Sequence, residues 1–501
     1  MALRTSSLLQ SRLLPISVIL FLFLMYAFLP TQNSTTDAYD YAASVRWRVD
    51  LWKPHHLLYN ITALAFYSLL QSLGVYIMPL PLLKLLNSFF AGTSLFVLWR
   101  MIALLQKDVK VQAALLLVAG ASFGTMRYAT ENETYLIPLF FSSLGSLYAL
   151  RYLQLGKGTF IFWSGWWASI ACLYHQVHFF WWLGLFFFFL LADKCKLASA
   201  FRFLLPALVV PLVYGLVMFY QDIRLTEAHR FVFSAFYKGG VETTITYKNF
   251  LLTGISFFRT FFEVHGRIPF LLTHHPFYII NGLVTAGFVL YLLKELLQRR
   301  RTNILHHSTF YRTHAVILAL QVLFAWYAVG NAEFMVMVPF LVVLLASCLN
   351  IKKSRNLFLF GIALFIWNTS FGVIPNHLYT FSNHACVSNY IQQHPGSVLI
   401  LHDKNAFDTY FFYHFGRYPE NTHETEAPAR VLTKVIAEGH LRNQAIITDY
   451  TKEAAVLNRQ WFLSKKKADA FFKNYELSPF YSCPTFYRGS SLHKVSVHFG
   501  K

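Results

Sequence analysis

Charged residues are scarce in this sequence. They make up 13% of its 501 residues, whereas hydrophobic residues make up 56%. An ordinary soluble domain is charged at about a quarter of its positions, so this composition excludes one. The short alternating strands of a membrane β-barrel are also missing. Apolar runs of about 20 residues recur instead, which predicts a polytopic α-helical membrane protein.

Motifs of the common soluble enzyme classes are absent as well. The chain has no P-loop, no GxSxG or HExxH motif and no dinucleotide-binding glycine fingerprint. It also lacks the Cys and His spacings of a zinc site. The formal charge of +20 would suit nucleic acid, but basic residues in a membrane protein chiefly mark its cytoplasmic side. We therefore expect membrane lipid as a partner, and no nucleic acid.

Cysteine is rare, with five residues in the chain. Three of them lie in or beside apolar runs, and Cys386 and Cys483 lie in the polar C-terminal part. These two could pair if that part faces an oxidising compartment. The sequence leaves this pairing open.

Basic flanks of the apolar runs predict the topology. The first run, 13–29, follows Arg4 and Arg12 and has no convincing cleavage site after it, which predicts an uncleaved signal-anchor. The run at 57–73 carries a polar stripe at helical spacing, which favours a helix lying in the membrane interface. With this run in the interface, most basic loop residues fall on the cytoplasmic side, as the positive-inside rule requires.

The remaining runs predict eleven transmembrane helices, with the N-terminus in the cytoplasm. A further stretch, 249–262, is interrupted by Arg259 and is predicted to be interfacial. The predicted crossings are 13–29, 82–104, 111–124, 135–153, 159–174, 178–192, 203–220, 274–293, 313–329, 334–349 and 356–373.

The chain after the last crossing changes character. Short apolar runs at 397–401 and 445–450 predict buried strands, and helical stretches lie between them. This alternation predicts a small α/β domain. We therefore expect an all-α transmembrane module, residues 1–373, and an extracytoplasmic soluble domain, residues 374–501.

The predicted outer face collects ionisable residues near the helix ends. A polar cluster on one side of a membrane marks a candidate functional site. Its members are Asp37, Asp40, His55, His56, Arg127, Glu131, Glu133, His175, His178 and Glu333.

Asp37 and Asp40 are three residues apart, so they share a face if the segment is helical. Paired carboxylates suit a general base or a divalent metal such as Mg²⁺ or Mn²⁺. Alternatively, Asp37 is the N-cap of the following helix, a position that aspartate favours.

The histidine pairs leave similar alternatives. His55 and His56 could hold a phosphate or orient an acid, with one ring facing the site and the other the lipid headgroups, or they could pack in the interface. His175 and His178, three residues apart, could bind metal or phosphate, or be ordinary satisfied polar groups.

The glutamates are open to two interpretations as well. One of Glu131 and Glu133 is expected to bind the acceptor, while the other caps a helix or pairs with Arg127; we favour Glu131 in the site. Glu333 stands at a predicted helix start, where the helix dipole favours a carboxylate in any case.

The layout resembles the GT-C class of polytopic membrane glycosyltransferases, which includes protein O-mannosyltransferases and lipid A aminoarabinose transferases. In that class the first outer loop carries a catalytic acid and continues into helices on the membrane surface. Here TTDAYDY supplies Asp37, and WKPHHLLYN leads into the helix at 57–73. RYATENETY supplies the second-loop acid as Glu131 or Glu133. The chain departs from the class in having DxxD where some members show adjacent acids, so Asp37 and Asp40 both remain candidates for the base.

This resemblance implies transfer of a hexosyl or pentosyl group from a polyprenyl-phosphate donor to an acceptor glycan, lipid or protein. The transfer would invert the anomeric centre, with a first-loop aspartate as base. The departing phosphate needs cationic or metal stabilisation. Arg127, the histidines and the loop residues Arg224, Arg230 and Lys238 are candidates for it, although a solvated face explains the loop residues equally well. A bacterial inner membrane is the expected location.

Three other functions remain open at this stage. A transporter or flippase would place charges mid-bilayer and often show inverted repeats. A non-catalytic envelope assembly protein would not need its aspartates for any chemistry. An oligosaccharide ligase or polymerase of another fold would depend on arginines of a large outer loop.

Overall fold

The computed structural model describes residues 2–193, 195–237, 244–265, 267–297, 307–351, 354–450, 467–486 and 491–497. The described part is mostly helical and ends in a small mixed sheet. Its α-helices up to the middle of the chain are α1 (Ala2–Phe28), α2 (Thr36–Trp47), α3 (Tyr59–Ser72), α4 (Pro79–Leu105), α5 (Val109–Ala121), α6 (Phe123–Ala129), α7 (Leu136–Leu155), α8 (Thr159–Tyr174), α9 (Phe179–Ala192), α10 (Lys196–Leu204), α11 (Val209–Tyr220), α12 (Ala228–Val232) and α13 (Ser234–Tyr237).

The second half of the chain continues with α14 (Tyr247–Phe261), α15 (Arg267–His274), α16 (Tyr278–Leu297), α17 (Ser308–Tyr327), α18 (Val338–Ser347), α19 (Ser354–Asn368), α20 (Ile374–Leu378), α21 (His384–Gln393), α22 (Lys404–Phe415) and α23 (Ala429–Leu441). The strands are β1 (Val398–Leu401), β2 (Thr422–Glu424), β3 (Ile446–Thr448), β4 (Tyr475–Ser482) and β5 (Ser491–Val497). Short 3₁₀ turns include Pro54–His56, Gln176–His178 and Ala332–Met335.

The chain divides into two compact units. The first, the helical unit, comprises Met1–Pro30, Asp50–Glu263 and Phe277–Ile374. The second, the sheet unit, comprises Thr31–Val49, Val264–Pro276 and Pro375–Lys501. Helix α2, with Asp37 and Asp40, therefore belongs with the C-terminal residues and not with the helices around it in sequence. The division into a transmembrane module, residues 1–373, and a separate soluble domain, residues 374–501, stays a prediction.

Helices of the helical unit are apolar on most of their surface, so they form its core by packing against one another. Within the described ranges, four helical stretches are long and apolar enough to cross a membrane: Pro79–Leu105, Leu136–Leu155, Lys196–Tyr220 and Ser354–Leu378. A bent pair, α5 and α6, makes a fifth if it counts as one span, and four shorter apolar helices accompany them. Each of the eleven predicted segments is helical, but the number of crossings stays a prediction.

One predicted crossing differs from a simple helix. The run at 111–124 was expected to be a single span, but α5 ends at Ala121 and α6 begins at Phe123 with a bend of 63° between them. Ser122 at the break has extended backbone angles, and its hydroxyl donates to the Val118 carbonyl. The uniform hydrophobicity of this run gives no sign of the break. This break matters for the candidate site, because α6 leads directly into the acidic loop after Ala129.

The sheet unit contains a five-stranded sheet in the order β2-β1-β3-β5-β4. Strand β1 pairs in parallel with β2 and β3, and β5 pairs antiparallel with β3 and β4. Apolar side chains of β1 alternate between two clusters, with Leu399 and Leu401 in one and Val398 and Ile400 in the other. A disulfide joins Cys386 and Cys483. The predicted strands at 397–401 and 445–450 correspond to β1 and β3.

Candidate functional site

The loop between α6 and α7 is a deeply buried polar segment of the helical unit. Every residue from Thr130 to Thr134 is at most 3% exposed. Asn87 of α4 holds its backbone, because the Asn87 amide donates to the carbonyls of Glu131 and Glu133 at 2.7 Å each. Ser88 adds a hydrogen bond to the Ala129 carbonyl. Two adjacent polar side chains of α4 thus satisfy three carbonyls of this segment.

Glu131 lies between two cations at this place. Its Oε1 is 3.8 Å from Lys84 Nζ, and its Oε2 is 3.7 Å from Arg127 Nη1. The Asn132 backbone N–H donates to Oε1 at 2.9 Å. Since Glu131 is fully buried, these contacts offset the cost of removing its charge from water. The expectation that one glutamate pairs with Arg127 holds, but the partner is Glu131, the residue favoured for acceptor binding.

Four histidines form a second cluster in the helical unit, which we call the histidine cluster: His55, His56, His175 and His178. The His56 ring centroid is 4.2 Å from that of His55 and 4.4 Å from that of His175. His175 and His178 have centroids 6.5 Å apart. The two pairs, distant in sequence, therefore meet at one place. His56 is buried there and His55 is half-buried, and the expectation that one of them faces lipid headgroups stays a prediction.

Contacts of the turn after α8 hold the histidine cluster in place. The Gln176 amide donates to the Tyr214 hydroxyl at 2.9 Å and to the Val232 carbonyl at 2.8 Å. Tyr214 in turn donates to the Pro54 carbonyl at 2.6 Å, at the start of the turn that carries His55 and His56. The first loop is thereby fastened to the turn that holds His175.

Burial makes these rings neutral. It lowers the pKa of His175 well below its ordinary value, and the nearby His178 and His55 lower it further. Burial likewise lowers the pKa of His56, with added contributions from His175 and His55. Both rings are therefore uncharged at neutral pH, so they offer hydrogen bonds and not positive charge.

Two ring nitrogens of this cluster stand out. His175 is 5% exposed and His178 is fully buried. Among the described residues, Nε2 of each ring is buried without a hydrogen-bond partner. Leaving a buried polar atom unsatisfied costs about 1–3 kcal/mol. A site that keeps two such atoms, on rings whose centroids are 6.5 Å apart, is a site that a polar ligand or an ordered water would complete.

Tyr135 connects the histidine cluster with Glu333. Its ring centroid lies 4.9 Å from that of His175, and its hydroxyl donates to Glu333 Oε2 at 3.0 Å. Asn331 is the N-cap of the turn at Ala332–Met335, since its side chain accepts from the Glu333 N–H. Glu333 therefore lies at a helix start, as expected, and also belongs to the polar cluster.

The aspartate pair lies on α2 in the sheet unit. Thr35 is the N-cap of this helix, because its hydroxyl accepts from the Ala38 N–H. The alternative that Asp37 is the cap is therefore wrong, and Asp37 is an exposed residue of the first turn. Asp40 follows one turn later and is half-buried. Tyr39 between them contacts Tyr410 of α22 at a ring distance of 5.2 Å.

A metal ion finds no ready-made site in the described ranges. They contain no group of three or more His, Cys, Asp or Glu residues arranged to hold one. A metal at Asp37 and Asp40, one of the two roles open to this pair, would need further ligands that the described part of the chain does not bring to them. Of the other phosphate candidates, Arg224 and Arg230 are exposed, and Lys238 lies outside the described residues.

Sequence reasoning missed several residues of the site. Lys84 lies within the apolar run at 82–104 and was not selected as a site residue, although a lone cation in such a run is itself a sign of function. Tyr59, which donates to Asn132 Oδ1 at 2.7 Å, carried no such signal. Asn87 carried no such signal either, because an asparagine in a long helix can serve many structural roles.

Solved structures match this chain over nearly its whole length. ArnT from Cupriavidus metallidurans, bound to undecaprenyl phosphate, has a TM-score of 0.53 and 11% sequence identity, and the match covers 96% of this chain and 97% of ArnT. The oligosaccharyltransferase of Archaeoglobus fulgidus, in complex with Zn and sulfate, has a TM-score of 0.46 and 10% identity, with 96% of this chain and 73% of that chain covered. No protein-family model and no curated protein matches the sequence.

The match with ArnT identifies the fold. The chain is a multi-pass, membrane-embedded protein with the GT-C fold of membrane glycosyltransferases, as the sequence resemblance predicted. The small C-terminal mixed sheet belongs to the matched length. At this level of identity the likeness establishes the fold and leaves substrate and chemistry to the residues of the site.

Proposed function

We propose that this protein is a glycosyltransferase that moves a sugar from a polyprenyl-phosphate donor to an acceptor on the extracytoplasmic face of a membrane. The observation that carries the proposal is the place of Asp37. It lies exposed in the first turn of α2, a helix that begins soon after the first apolar helix ends. The GT-C fold supports this function, and the solved ArnT structure holds undecaprenyl phosphate, a lipid of the proposed donor class.

In the first chemical step, an aspartate of α2 acts as the base. The positive end of a helix dipole favours the ionised form of a carboxylate in the first turn. Asp37, or Asp40 one turn on, takes the proton of the acceptor hydroxyl or amine. The freed electron pair attacks the anomeric carbon with inversion, and the bond from that carbon to the phosphate oxygen breaks. Polyprenyl phosphate leaves with the bonding electrons.

The cations beside Glu131 would stabilise the departing phosphate. Lys84 and Arg127 both contact this carboxylate; Lys84 is buried and Arg127 is half-buried. Cations fixed in a low-dielectric site stabilise a developing phosphate charge more strongly than cations in water. We assign phosphate binding to Lys84 and Arg127. Glu131 positions these two cations, and Glu133 lies in the same loop. No step here is routed through a metal.

Topology follows the positive-inside interpretation of the basic loops, with eleven crossings and the N-terminus in the cytoplasm. The disulfide between Cys386 and Cys483 supports an extracytoplasmic sheet unit, because disulfides persist in oxidising compartments. A lipid-linked donor fits this side, where no nucleotide-sugar pool exists and where the donor enters from the bilayer. We place the protein in a bacterial inner membrane.

The decisive experiment compares the wild-type protein, purified into lipid, with Asp37→Asn and Asp40→Asn. Release of polyprenyl phosphate is followed from a panel of polyprenyl-phosphate sugars, with a crude envelope extract as the source of acceptor. Glu420→Gln is the matched control, since Glu420 is an exposed acid of the same sheet unit. We expect release by the wild type and by the control, and its loss in one aspartate variant, which is then the base.

Two results would contradict the proposal. No release from any donor by folded protein would favour transport or envelope assembly. Release that survives in both aspartate variants would keep the transferase but place its base outside α2.

A further inference from the structure

His175 has a defined tautomer. Its backbone is extended, and the ring caps the following 3₁₀ turn because Nδ1 accepts from the Val177 N–H at 3.2 Å. A neutral imidazole that accepts at Nδ1 carries its hydrogen on Nε2. His175 Nε2 is therefore a hydrogen-bond donor, and it is the buried nitrogen that has no partner among the described residues.

The described neighbours of this ring offer no acceptor at its Nε2. The rings of His56, Tyr135 and Phe334 surround His175 at centroid distances of 4.4, 4.9 and 6.4 Å. These contacts come from the first loop, the start of α7 and the turn before α18. Aromatic rings from three elements thus lie against His175 and give its Nε2 no hydrogen-bond acceptor among the described residues.

His178 supplies the second buried nitrogen. Its Nδ1 lies 2.7 Å from the Ser142 hydroxyl oxygen of α7, which fixes the ring on that side. Its stacking on Trp181, with an angle of 18° between the rings, fixes the ring plane. The serine hydroxyl can donate or accept, so His178 Nε2 is available in either role.

Chemical complementarity selects among the possible ligands. A metal needs a lone pair on each ligand, and His175 Nε2 carries a hydrogen instead. A phosphate has acceptor oxygens only and is better matched by the cations Lys84 and Arg127. A sugar hydroxyl both donates and accepts, so it satisfies a required donor at His175 and either role at His178.

We propose that His175 and His178 bind hydroxyl groups of the donor sugar, and that this pair sets which sugar the protein accepts. The inference rests on the proposed function, since it names the subsite of a lipid-linked donor. It gives the two buried ring nitrogens the partners that the described protein residues do not supply. It also separates sugar recognition by neutral rings from phosphate recognition by buried cations.

The test measures binding and not turnover. Native mass spectrometry of the full-length protein compares undecaprenyl phosphate alone with undecaprenyl phosphate that carries mannose, glucose or aminoarabinose. The variants are His175→Ala, His178→Ala and His175→Gln, whose amide keeps an N–H near the Nε2 position. His229→Ala is the control, because His229 is an exposed histidine of the same helical unit.

For the wild type we expect one sugar-bearing lipid to bind more tightly than the bare lipid. Loss of one neutral hydrogen bond should weaken that lipid about three- to tenfold in each alanine variant. Binding of the bare lipid should stay unchanged, and His175→Gln should recover part of the loss. His229→Ala should behave as wild type.

Four outcomes would overturn the inference. Equal weakening of bare and sugar-bearing lipids would make the histidines phosphate ligands. Unchanged binding of both in the alanine variants would mean that an ordered water or nothing at all fills the site. Failure of the wild type to prefer any sugar-bearing lipid would remove the sugar subsite, and failure to bind even the bare lipid would remove the proposed function as well.

Discussion

The indole nitrogen of Trp47 donates to the carbonyl oxygen of Phe412 at 3.0 Å, although 365 residues separate the two. Phe412 lies in the last turn of α22, and its carbonyl also accepts from the Gly416 N–H at 2.8 Å. Arg46 beside Trp47 donates to the next carbonyl, that of Tyr413, at 2.9 Å. Two consecutive side chains of α2 thus cap the end of α22. Since α2 carries both aspartates, the C-terminal residues hold the helix of the proposed base.

Replacing Trp47 with phenylalanine removes this N–H and keeps most of the ring that packs against Gly416. We expect the folded state to lose about 0.5–1.5 kcal/mol, the usual net contribution of one hydrogen bond. We also expect a lower kcat with little change in KM for the donor, because α2 is less firmly positioned. Thermal unfolding and initial-rate kinetics measure the two effects.

Trp163→Phe is the control for this variant, since Trp163 is a 42% exposed residue of α8 in the helical unit. An unchanged unfolding midpoint in Trp47→Phe would mean that the cap on α22 contributes nothing. A fall in kcat for Trp163→Phe as well would mean that the effect is not specific to α2.

Glu131→Gln should destabilise the protein strongly. The carboxylate is the shared partner of buried Lys84 and half-buried Arg127, and its loss removes the counter-charge that it gives to both. Breaking a buried ion pair from one side costs about 3–5 kcal/mol. The double variant Lys84→Met with Glu131→Gln should lose less than the two single variants together, because it removes both charges. Strictly additive shifts in thermal unfolding would show that the pair is not coupled.

Helices were predictable from this sequence because a membrane segment has a simple requirement. A bilayer demands a run of apolar residues of fixed length, and the run at 82–104 indeed becomes α4. The bend at Ser122 was not predictable, because a single serine in an apolar run does not distinguish a break from a hydrogen bond within the helix. Strand β2 was missed because it has three residues and only one of them, Thr422, is buried.

The sequence singled out His55, His56, His175 and His178 one by one, but it did not predict that their rings meet. Ionisable residues at the ends of apolar runs point to a cluster, which is how His56 and His175 were selected. Their contact depends on two loops that meet only in the folded chain, and one sequence contains no record of it. The ion pair of Lys84 was not predictable either. A lysine in an apolar helix indicated a site only once its partner Glu131 was known.

Stability should depend on pH through His56 and His175. Both pKa values are lowered in the folded protein, whereas the unfolded chain protonates these rings below about pH 6.5. The unfolded state then binds more protons, so their contribution is complete above about pH 6.5 and is lost as the pH falls below it. The loss should be about 1.4 kcal/mol per histidine for each pH unit.

Unfolding midpoints of the wild type and His175→Gln, measured between about pH 7.5 and 5, test this sign. The wild type should lose more stability on acidification, because glutamine does not titrate. Parallel curves would mean that His175 is protonated in the folded protein, and this would also argue against a neutral ring at that place.

Cys195 provides the test of topology, because it is an exposed free thiol at the start of α10. Its loop is predicted to be cytoplasmic, whereas Cys386 and Cys483 form a disulfide in the sheet unit. In intact cells a membrane-impermeant maleimide should therefore leave Cys195 unlabelled, and permeabilised cells should label it. Cys195→Ser is the control for background labelling. Labelling of Cys195 in intact cells would place its loop outside, make the helix at 57–73 a crossing, and reverse the side assigned to every later loop.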